Sequence, residues 1–407
     1  LLLWLSLALS GFAAGMLARD RGASFRGGAF GALAFMALPY CQSHLWHLQL
    51  FSAGLSAAGI MFALRTAEGR SSGWLLAPLI FLQGLASLYM WYFLNLAIMV
   101  IALRLLAARD FGRLRRLILH AVPGNLLLVP FLIPQMGNAA RWSMDSIAST
   151  DVSAFFSPWG DSLLTGWLRS SFAHPEAALW PGLAVVLGAF SCLRRRRRPG
   201  DGLLIALGVF FAALSLGPTV TVWGRELAPG PFRLIGLLPG AASLRLPARA
   251  GVLAALPLVV LASRIIGEKP LLTWAGIALI VLETLRPGIP VLPAGVADCH
   301  AWLREKKPSR VLYLPMIPDL TRPEQETLRL YGSTLHFTPA VNGYSTSLPR
   351  GYVEAAEVLN TWPSPEATAL AESLGVEAVV FEGTAREGCD EAWFDGRIWC
   401  SAVMLRR

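Results

Sequence analysis

The sequence predicts a membrane protein: an all-α bundle of about ten transmembrane helices, followed by a C-terminal α/β domain outside the cytoplasm. Hydrophobic residues make up 55% of the 407 residues and charged residues only 15%, whereas soluble domains have about 25% charged residues. Five consecutive arginines, 194–198, lie between two apolar segments and fix one loop on the cytoplasmic side. Residues 288–407 hold 11 Lys and Arg against 15 Asp and Glu, which marks a separate polar domain.

If each apolar segment crosses the membrane once, successive segments run in opposite directions. Starting from the loop with the five arginines, this assigns a direction to ten segments. Basic residues gather in the loops that this alternation places in the cytoplasm, such as 19–26, 65–70 and 104–116. The apolar stretch 73–106 is too long for one crossing of about 30 Å of hydrocarbon, so we divide it near Ser87. The predicted spans are 1–17, 27–41, 48–64, two within 73–106, 117–134, 180–193, 202–217, 251–266 and 271–285.

By parity, the polar domain 288–407 follows the transmembrane domain 1–287 on the extracytoplasmic side, together with long external loops at about 135–178 and 218–250. Alternating β-branched and helical patterns predict a small α/β layer in this tail. No glycine-rich phosphate loop follows its strands, so nucleotide binding is not expected. The predicted strands are 310–316, 376–383 and 397–405, and the predicted helices are 352–359 and 365–374.

The net charge of +9 does not indicate a nucleic-acid partner. Residues 1–287 carry 24 Lys and Arg against 11 Asp and Glu, and this excess lies in short loops where the positive-inside rule explains it. In the tail, Cys389 and Cys400 flank a predicted hairpin in an oxidising compartment, where a disulfide between them is one interpretation. The sequence cannot fix its geometry.

Arg245 and Arg249 lie four residues apart around Pro247, in an external loop. Two guanidinium groups near the membrane face can hold a lipid phosphate bidentately. The alternative is an interfacial anchor whose arginine stems extend along the apolar surface.

His44 and His47 lie one helical turn apart on the outer side. They are interpreted as polar contacts in a substrate cavity, with a purely structural role as the alternative; no metal site is predicted, because no carboxylate or cysteine accompanies them in the loop. Tyr89, at an external turn with Trp91 and Tyr92, either lines a lipid-sugar groove or belongs to the interfacial aromatic belt.

The long external loop contains Arg141, Asp145, Asp151 and Trp159. A carboxylate near a sugar hydroxyl can act as a general base, which makes Asp151 and Asp145 catalytic candidates. Arg141 and Trp159 are candidates for contacts with the sugar. For any single residue, the alternative is a solvated acid or an aromatic side chain at headgroup level.

Several motifs resemble bacterial polytopic glycosyltransferases of the C-type fold, in the hypothetical branch that uses polyprenyl-phosphate sugars. They are SGFAAGMLARDRG and FGALAFMALPYCQSHLWHLQL near the start, SLGP at 215–218, LPG at 238–240, LRLPARAG at 244–251, and YGSTLHFTPAVNGYSTSLPRGY in the tail. The resemblance implies an inner-membrane enzyme that transfers a sugar from a polyprenyl-phosphate donor to an extracytoplasmic acceptor. Arg245 and Arg249 match the family's arginine-proline-arginine block, with Ala250 in place of its usual aromatic residue.

The family's catalytic acid normally lies in the first external loop, so we expect it upstream of Leu1, in a chain truncated at its N-terminus. The expected partners are membrane lipids, the lipid-linked donor, and a glycan, lipid or protein acceptor. No cofactor is expected, and a divalent metal is left open. The alternative function is a non-enzymatic transporter of lipid-linked glycans or a scaffold for cell-envelope assembly.

Overall fold

A computed structural model divides the chain into two compact units, Leu1–Ile289 (unit 1) and Pro290–Arg407 (unit 2). The residues that the structure describes are 1–45, 47–71, 73–139, 147–158, 162–168, 178–195, 198–238, 240–241, 244–285, 298–317, 323–343, 351–382, 390–394 and 399–405.

Unit 1 is mostly helical in its described part. Two 3₁₀ segments, Leu48–Ser52 and Pro247–Ala250, lead directly into α4 and α11. The α-helices are α1 (Leu2–Asp20), α2 (Phe25–Met36), α3 (Pro39–Ser43), α4 (Ala53–Ala67), α5 (Leu76–Ala86), α6 (Leu88–Ala107), α7 (Phe111–Ala139), α8 (Leu183–Arg194), α9 (Asp201–Ser215), α10 (Phe232–Ile235), α11 (Gly251–Ile266) and α12 (Pro270–Thr284).

Among the described residues, five helical segments are long and apolar enough to cross a membrane, as judged by length and composition. Four shorter apolar helices, α5, α8, α9 and α12, have at most 15 residues. Since a helix rises about 1.5 Å per residue, such a helix covers less than the ~30 Å of a hydrocarbon core. Ten crossings therefore stay a prediction. The five long segments are Leu2–Asp20, Leu48–Ala67, Leu88–Ala107, Phe111–Ile133 and Pro247–Ile266.

Helix α11 is the centre of unit 1, because all its residues except Leu258 are buried. A helix that is apolar on every side packs on every side. Small residues let its neighbours approach closely: a Cβ on Gly27 of α2 would lie 2.2 Å from the carbonyl oxygen of Ser263, and one on Gly188 of α8 would lie 2.8 Å from the Cβ of Ala262.

The loops predicted to be cytoplasmic meet at one end of unit 1, here called the basic end (residues 20–24, 65–71, 104–113, 198–202 and 264–269). The Asp20 carboxylate forms ion pairs with Arg21 at 2.7 Å, Arg65 at 2.7 Å and Arg70 at 2.9 Å. Glu68 also pairs with Arg21, at 2.5 Å. The ends of α1 and α4 are thereby held together by charge.

The remaining connecting segments meet at the other end of these helices, here called the loop end (residues 39–52, 87–89, 147–158, 178–182 and 216–250, within the described ranges). A hairpin that the sequence did not predict stands there, formed by antiparallel strands β1 (Thr219–Val222) and β2 (Arg225–Pro229). Its turn residues Trp223 and Gly224 have positive φ angles of 48° and 77°, as a two-residue hairpin turn requires.

Several predicted boundaries differ from the structure. The break between α5 and α6 at Ser87 is confirmed, and the Ser87 side chain caps α6 by accepting from the Met90 N–H. Helix α7 begins at Phe111, six residues before the start of the span predicted at residue 117, and the start of the span stays a prediction. The exposed arginines near the start of α7 do not prevent the helix from beginning before its apolar part, because their long side chains can reach polar surroundings.

Unit 2 contains a four-stranded mixed sheet in the order β3-β4-β6-β5. The β3–β4 pair is parallel and the other two pairs are antiparallel. The strands are β3 (Val311–Leu314), β4 (Ala378–Glu382), β5 (Glu391–Phe394) and β6 (Trp399–Met404), and the helices are α13 (Asp298–Lys306), α14 (Pro323–His336), α15 (Tyr352–Leu359) and α16 (Pro365–Ser373).

Alternate residues of β3 point to two separate cores. Val311 and Tyr313 pack with Trp302 of α13, whereas Leu312 and Leu314 pack against α15 and α16. This alternation is the two-residue period of a strand that is covered on both faces. The predicted helix 352–359 matches α15, and the antiparallel pair β5–β6 confirms the hairpin predicted between residues 389 and 400. Helices α13 and α14 were not predicted.

Candidate functional site

The loop end gathers several of the predicted site residues. The 3₁₀ segment Pro247–Ala250 packs against α6, α9 and α11, and the segment Leu48–Ser52 packs against α4, α5 and α6. The side-chain amide of Gln83 links α5 to Ser52, with its Nε2 donating at 2.9 Å. The start of α6 therefore lies where both 3₁₀ segments converge.

Arg249 is the most enclosed of the predicted phosphate ligands. Its residue surface is 6% exposed, and its guanidinium carbon lies 4.7 Å from the centre of the Tyr89 ring. Pro247 at the start of the 3₁₀ segment fixes the backbone just before α11. The structure thus brings together two residues that the sequence indicated separately.

Arg245 is half-buried and lies in the same segment. Its carbonyl oxygen accepts a hydrogen bond from the Ala148 N–H at 2.9 Å, which ties this segment to the long external loop. Nearby, the Thr150 N–H donates to the Leu216 carbonyl at 2.9 Å. The binding of a donor phosphate by Arg245 and Arg249 stays a prediction.

Asp151 is buried, and backbone N–H groups surround its carboxylate. Oδ1 accepts from Ser153 at 2.8 Å and from Trp223 at 3.1 Å, while Oδ2 accepts from Gly224 at 2.9 Å. Burial alone would raise the pKa of Asp151, but a hydrogen bond from the Ser153 side chain and these backbone donors outweigh it and hold the pKa below its usual value. Asp151 therefore joins the 3₁₀ turn Val152–Phe156 to the hairpin turn.

His44 and His47 lie with their ring centres 5.5 Å apart. His44 is buried, stacks on Tyr40 at 4.3 Å, and places Nδ1 2.8 Å from both the Tyr40 carbonyl oxygen and the Ser43 hydroxyl. His47 is half-buried. The packing of His44 supports a structural role, and the substrate-cavity interpretation of the pair stays a prediction.

Asp145, Arg141, Trp159 and Cys389 lie outside the described residues. Of Cys400 only the backbone in β6 is described, so the proposed disulfide is not tested. Within the described ranges, no group of three or more His, Cys, Asp or Glu side chains could hold a metal ion.

No protein-family model matches the chain, and no curated protein sequence matches it significantly. Among solved structures, the cryo-EM structure of arabinofuranosyltransferase AftD from Mycobacteria is similar, with a TM-score of 0.60 and 15% sequence identity over 99% of this chain. The chain spans 33% of the AftD chain. At this identity the likeness shows a shared fold.

Two buried polar groups have roles that sequence reasoning missed. Glu283 of α12 accepts hydrogen bonds from the Trp180 indole at 2.9 Å and from the N–H of Leu183 at the start of α8. It therefore caps α8 from another helix. In the sequence, the only sign of this role was the position of Glu283 near the end of an apolar span.

The second group lies in unit 2. The Tyr313 hydroxyl lies 3.3 Å from Nδ1 of His300 and 3.1 Å from Nε2 of His336, and the two imidazole rings stack with centres 5.5 Å apart. The three side chains lie on separate segments of the sequence, and no regular spacing relates them. Their proximity is therefore visible only in the fold.

Proposed function

We propose that this chain is part of a membrane glycosyltransferase that transfers a sugar from a polyprenyl-phosphate donor to an acceptor at the loop end. The likeness to the fold of arabinofuranosyltransferase AftD along 99% of this chain carries the proposal. This chain spans only 33% of the AftD chain. That a complete enzyme containing this chain is active is therefore also part of the proposal.

The Arg249 guanidinium suits the phosphate of such a donor. It is planar, permanently charged and able to form two parallel hydrogen bonds with phosphate oxygens. Its position just before α11 adds the partial positive charge of a helix N-terminus, and the Tyr89 ring supports one of its faces. Arg245 would supply a second cation from the same segment.

In the proposed transfer, the acceptor hydroxyl oxygen bonds to the anomeric carbon while the bond from that carbon to the phosphate oxygen breaks. The bonding electrons leave with the polyprenyl phosphate, where the arginines stabilise the charge, and the hydroxyl proton passes to a carboxylate base. Asp151 is a weak candidate for this base, because three backbone N–H groups already hold its carboxylate. Asp145 remains a candidate.

The proposed location is the bacterial inner membrane, with the loop end and unit 2 on the extracytoplasmic side. The arginine-rich loops at the basic end support this orientation, because short basic loops stay in the cytoplasm.

Binding of farnesyl phosphate to the purified full chain in an uncharged detergent tests the phosphate role. A ligand that binds the folded state raises the unfolding midpoint, and the shift grows with the logarithm of the ligand concentration relative to its Kd. We expect farnesyl phosphate, but not farnesol, to raise the midpoint, and Arg249→Gln to weaken binding about tenfold or more. Arg225→Gln removes an exposed charge at the same end and is the matched control. Equal binding by Arg249→Gln and the wild type would rule the role out.

Transfer itself is tested with farnesyl-phosphate donors that carry labelled arabinofuranose, mannose or glucose, incubated with cell-envelope glycans. Release of farnesyl phosphate together with labelled glycan supports the transferase. Tight donor binding without any release would support the alternative function, a binding or transport protein for lipid-linked glycans. The engagement of Asp151 in backbone contacts is the observation that favours this alternative.

A further inference from the structure

A cavity of about 1010 Å³ lies at the basic end, between the C-terminal half of α6 and the first turns of α9. Six arginines and three carboxylates line it, together with apolar side chains from both helices. The cavity therefore has a cationic part and an apolar part. Neither part belongs to the loop end, where the proposed donor site lies.

The cationic part holds arginine charges that no described acid neutralises. Each of the three lining carboxylates forms an ion pair with an arginine of the same end. Among the described residues, Arg104 of α6 and Arg198 before α9 form no ion pair. Arg198 donates from Nη1 to the Gly22 carbonyl oxygen at 3.1 Å, which leaves its charge uncompensated. An anion in the cavity would compensate both arginines.

A third lining arginine has a donor that is not used within the described ranges. Arg264 is 7% exposed and forms an ion pair with Asp201 through Nη1 at 2.6 Å. Its buried Nε has no hydrogen-bond acceptor among the residues that the structure describes. Buried donors are normally satisfied. This N–H can donate to a ligand oxygen only after a shift of the side chain, because almost none of the atom's surface is exposed.

The first turn of α9 adds to this cationic character. Gly200, with φ of 88°, turns the chain into the helix, and Gly202 lines the cavity. A Cβ at Gly202 would meet no atom within 4 Å, so the space beside the helix start is open. The N-terminus of a helix attracts anions, and phosphate groups in particular.

The apolar part consists of facing strips of the two helices. Val100 and Ile101 of α6 and Leu203 and Ala206 of α9 line this part of the cavity. Ile101 is already buried, but inorganic phosphate would leave the exposed surface of Val100, Leu203 and Ala206 uncovered. A phosphate that carries a hydrocarbon chain would satisfy the arginines and cover the strips at the same time.

We propose that this cavity binds an anionic phospholipid, with its headgroup phosphate at Arg104 and Arg198 and the first part of an acyl chain between α6 and α9. The ligand chemistry is a phosphodiester on an apolar chain, in a lipid whose headgroup has a net negative charge. Basic segments at the cytoplasmic face attract such lipids. The site is separate from the proposed donor site, and the proposal does not depend on glycosyl transfer.

The test uses the purified full chain in an uncharged detergent and three probes: dioctanoylphosphatidylglycerol, dioctanoylphosphatidylcholine and inorganic phosphate. The readout is the shift of the unfolding midpoint with probe concentration. We expect saturable binding of the phosphatidylglycerol alone, weakened about tenfold or more by Arg104→Gln and by Arg198→Gln. Arg115→Gln removes an exposed charge of α7 that does not line the cavity, and it should bind as the wild type does.

Three outcomes would overturn the proposal. Equal shifts with both lipids would mean that the net negative charge of the headgroup is not recognised, because phosphatidylcholine carries the same phosphate beside a cationic choline. Inorganic phosphate that binds as tightly as phosphatidylglycerol would indicate a free-anion site without a lipid chain. Equal weakening by Arg115→Gln and Arg104→Gln would indicate unspecific attraction to a basic surface.

Gly202→Glu keeps the proposal testable if the arginine variants fold poorly. Its carboxylate enters open space at the start of a helix, where acidic residues are favourable, so the unliganded midpoint should not fall. The added negative charge should weaken phosphatidylglycerol binding about tenfold. Unchanged binding by a folded Gly202→Glu variant would contradict a phosphate in this cavity.

Discussion

The Arg249 guanidinium lies over the Tyr89 ring, with the guanidinium carbon 4.7 Å from the ring centre. Arg249 precedes α11 and Tyr89 belongs to the first turn of α6, so the contact joins two helices at the loop end. A cation over an aromatic face is worth about 0.5–2 kcal/mol, increasing with burial. The contact holds the guanidinium plane in a fixed orientation, which a bidentate phosphate ligand needs.

We therefore expect Tyr89→Leu and Arg249→Gln to be energetically coupled. The double variant should lose about 0.5–2 kcal/mol less stability than the sum of the two single variants, because the shared contact is lost only once. Unfolding midpoints of the four proteins in detergent measure this. Tyr89→Phe keeps the aromatic face and is the matched control, whereas additive losses would show that the two side chains do not interact.

Asp151→Asn should destabilise the loop end by about 1–3 kcal/mol at neutral pH, because charge-assisted hydrogen bonds to backbone N–H groups are weakened. The pKa of Asp151 is lowered in the folded state, so its contribution is present above the unfolded value of about 3.9 and is lost as pH falls through the folded value. The gap between the two proteins should shrink below about pH 4. Glu226→Gln, in exposed strand β2, is the control.

A gap between wild type and Asp151→Asn that persists unchanged at low pH would contradict this account. Protease cleavage within 219–229 gives an independent readout, because the Asp151 carboxylate accepts hydrogen bonds from both N–H groups of the hairpin turn.

Much of the fold was predictable because strong apolar patterns decide it locally. The predicted span 251–266 and tail helix 352–359 match α11 and α15, whose boundaries carry a proline-glycine context or clear helical spacing. The β1–β2 hairpin was missed because its turn contains Trp223, a poor turn residue by propensity. Asp151, far away in sequence, stabilises that turn through long-range contacts.

The sequence singled out residues of the candidate site one by one, and their functional roles stay predictions, but their arrangement could not be predicted. Arginines against the positive-inside trend indicated Arg249, and an aromatic cluster indicated Tyr89, yet no spacing in the sequence relates α6 to the segment that precedes α11. For Asp151 the sequence indicated a loop carboxylate. Only the fold shows that its oxygen atoms are already occupied by backbone donors.

In unit 2, burial and the nearby His336 ring lower the pKa of His300 from 6.5 to about 4. Between these two values the unfolded chain binds more protons than the folded one, so the stability of unit 2 should fall as pH drops from about 6.5 to about 4. The full loss for one histidine is about 3 kcal/mol. Hydrogen exchange of the β3 amides in the full chain, corrected for intrinsic rates, measures this.

His300→Phe should flatten this pH dependence, because a phenyl ring cannot take up a proton. His120→Gln, on α7 in unit 1, should leave the exchange profile of β3 unchanged. An undiminished pH slope in His300→Phe would assign the effect to a different group.

The side chain of Asn342 forms the hydrogen bonds that a neighbouring strand would otherwise form with Tyr313 of β3. Its Oδ1 accepts from the Tyr313 N–H at 2.7 Å, and its Nδ2 donates to the Tyr313 carbonyl at 2.8 Å. Asn342→Ala should leave both buried backbone groups unsatisfied and destabilise unit 2 by about 1–3 kcal/mol. Exchange rates at β3 should rise, whereas Thr334→Ala on the exposed face of α14 should change them little. Unaltered exchange in Asn342→Ala would mean that water replaces the amide.

At the basic end, Asp20 is the shared acceptor of three arginines, and its side chain is 3% exposed. Removing one partner of a buried ion pair typically costs about 3–5 kcal/mol, because the remaining charge stays buried without compensation. Asp20→Asn leaves the Arg21 side chain, 5% exposed, with Glu68 as its ion-pair partner among the described residues. We expect a large fall in the unfolding midpoint.

Asp110→Asn is the matched control for this prediction, because it removes the same charge from the same end. Asp110 pairs with Arg113 at 3.4 Å, with side chains 34% and 49% exposed, and a pair of this kind is worth at most about 1 kcal/mol. If burial determines the contribution, Asp20→Asn must lower the midpoint several times more than Asp110→Asn. Equal losses would instead indicate that total charge at the basic end, and not the network around Asp20, holds α1 and α4 together.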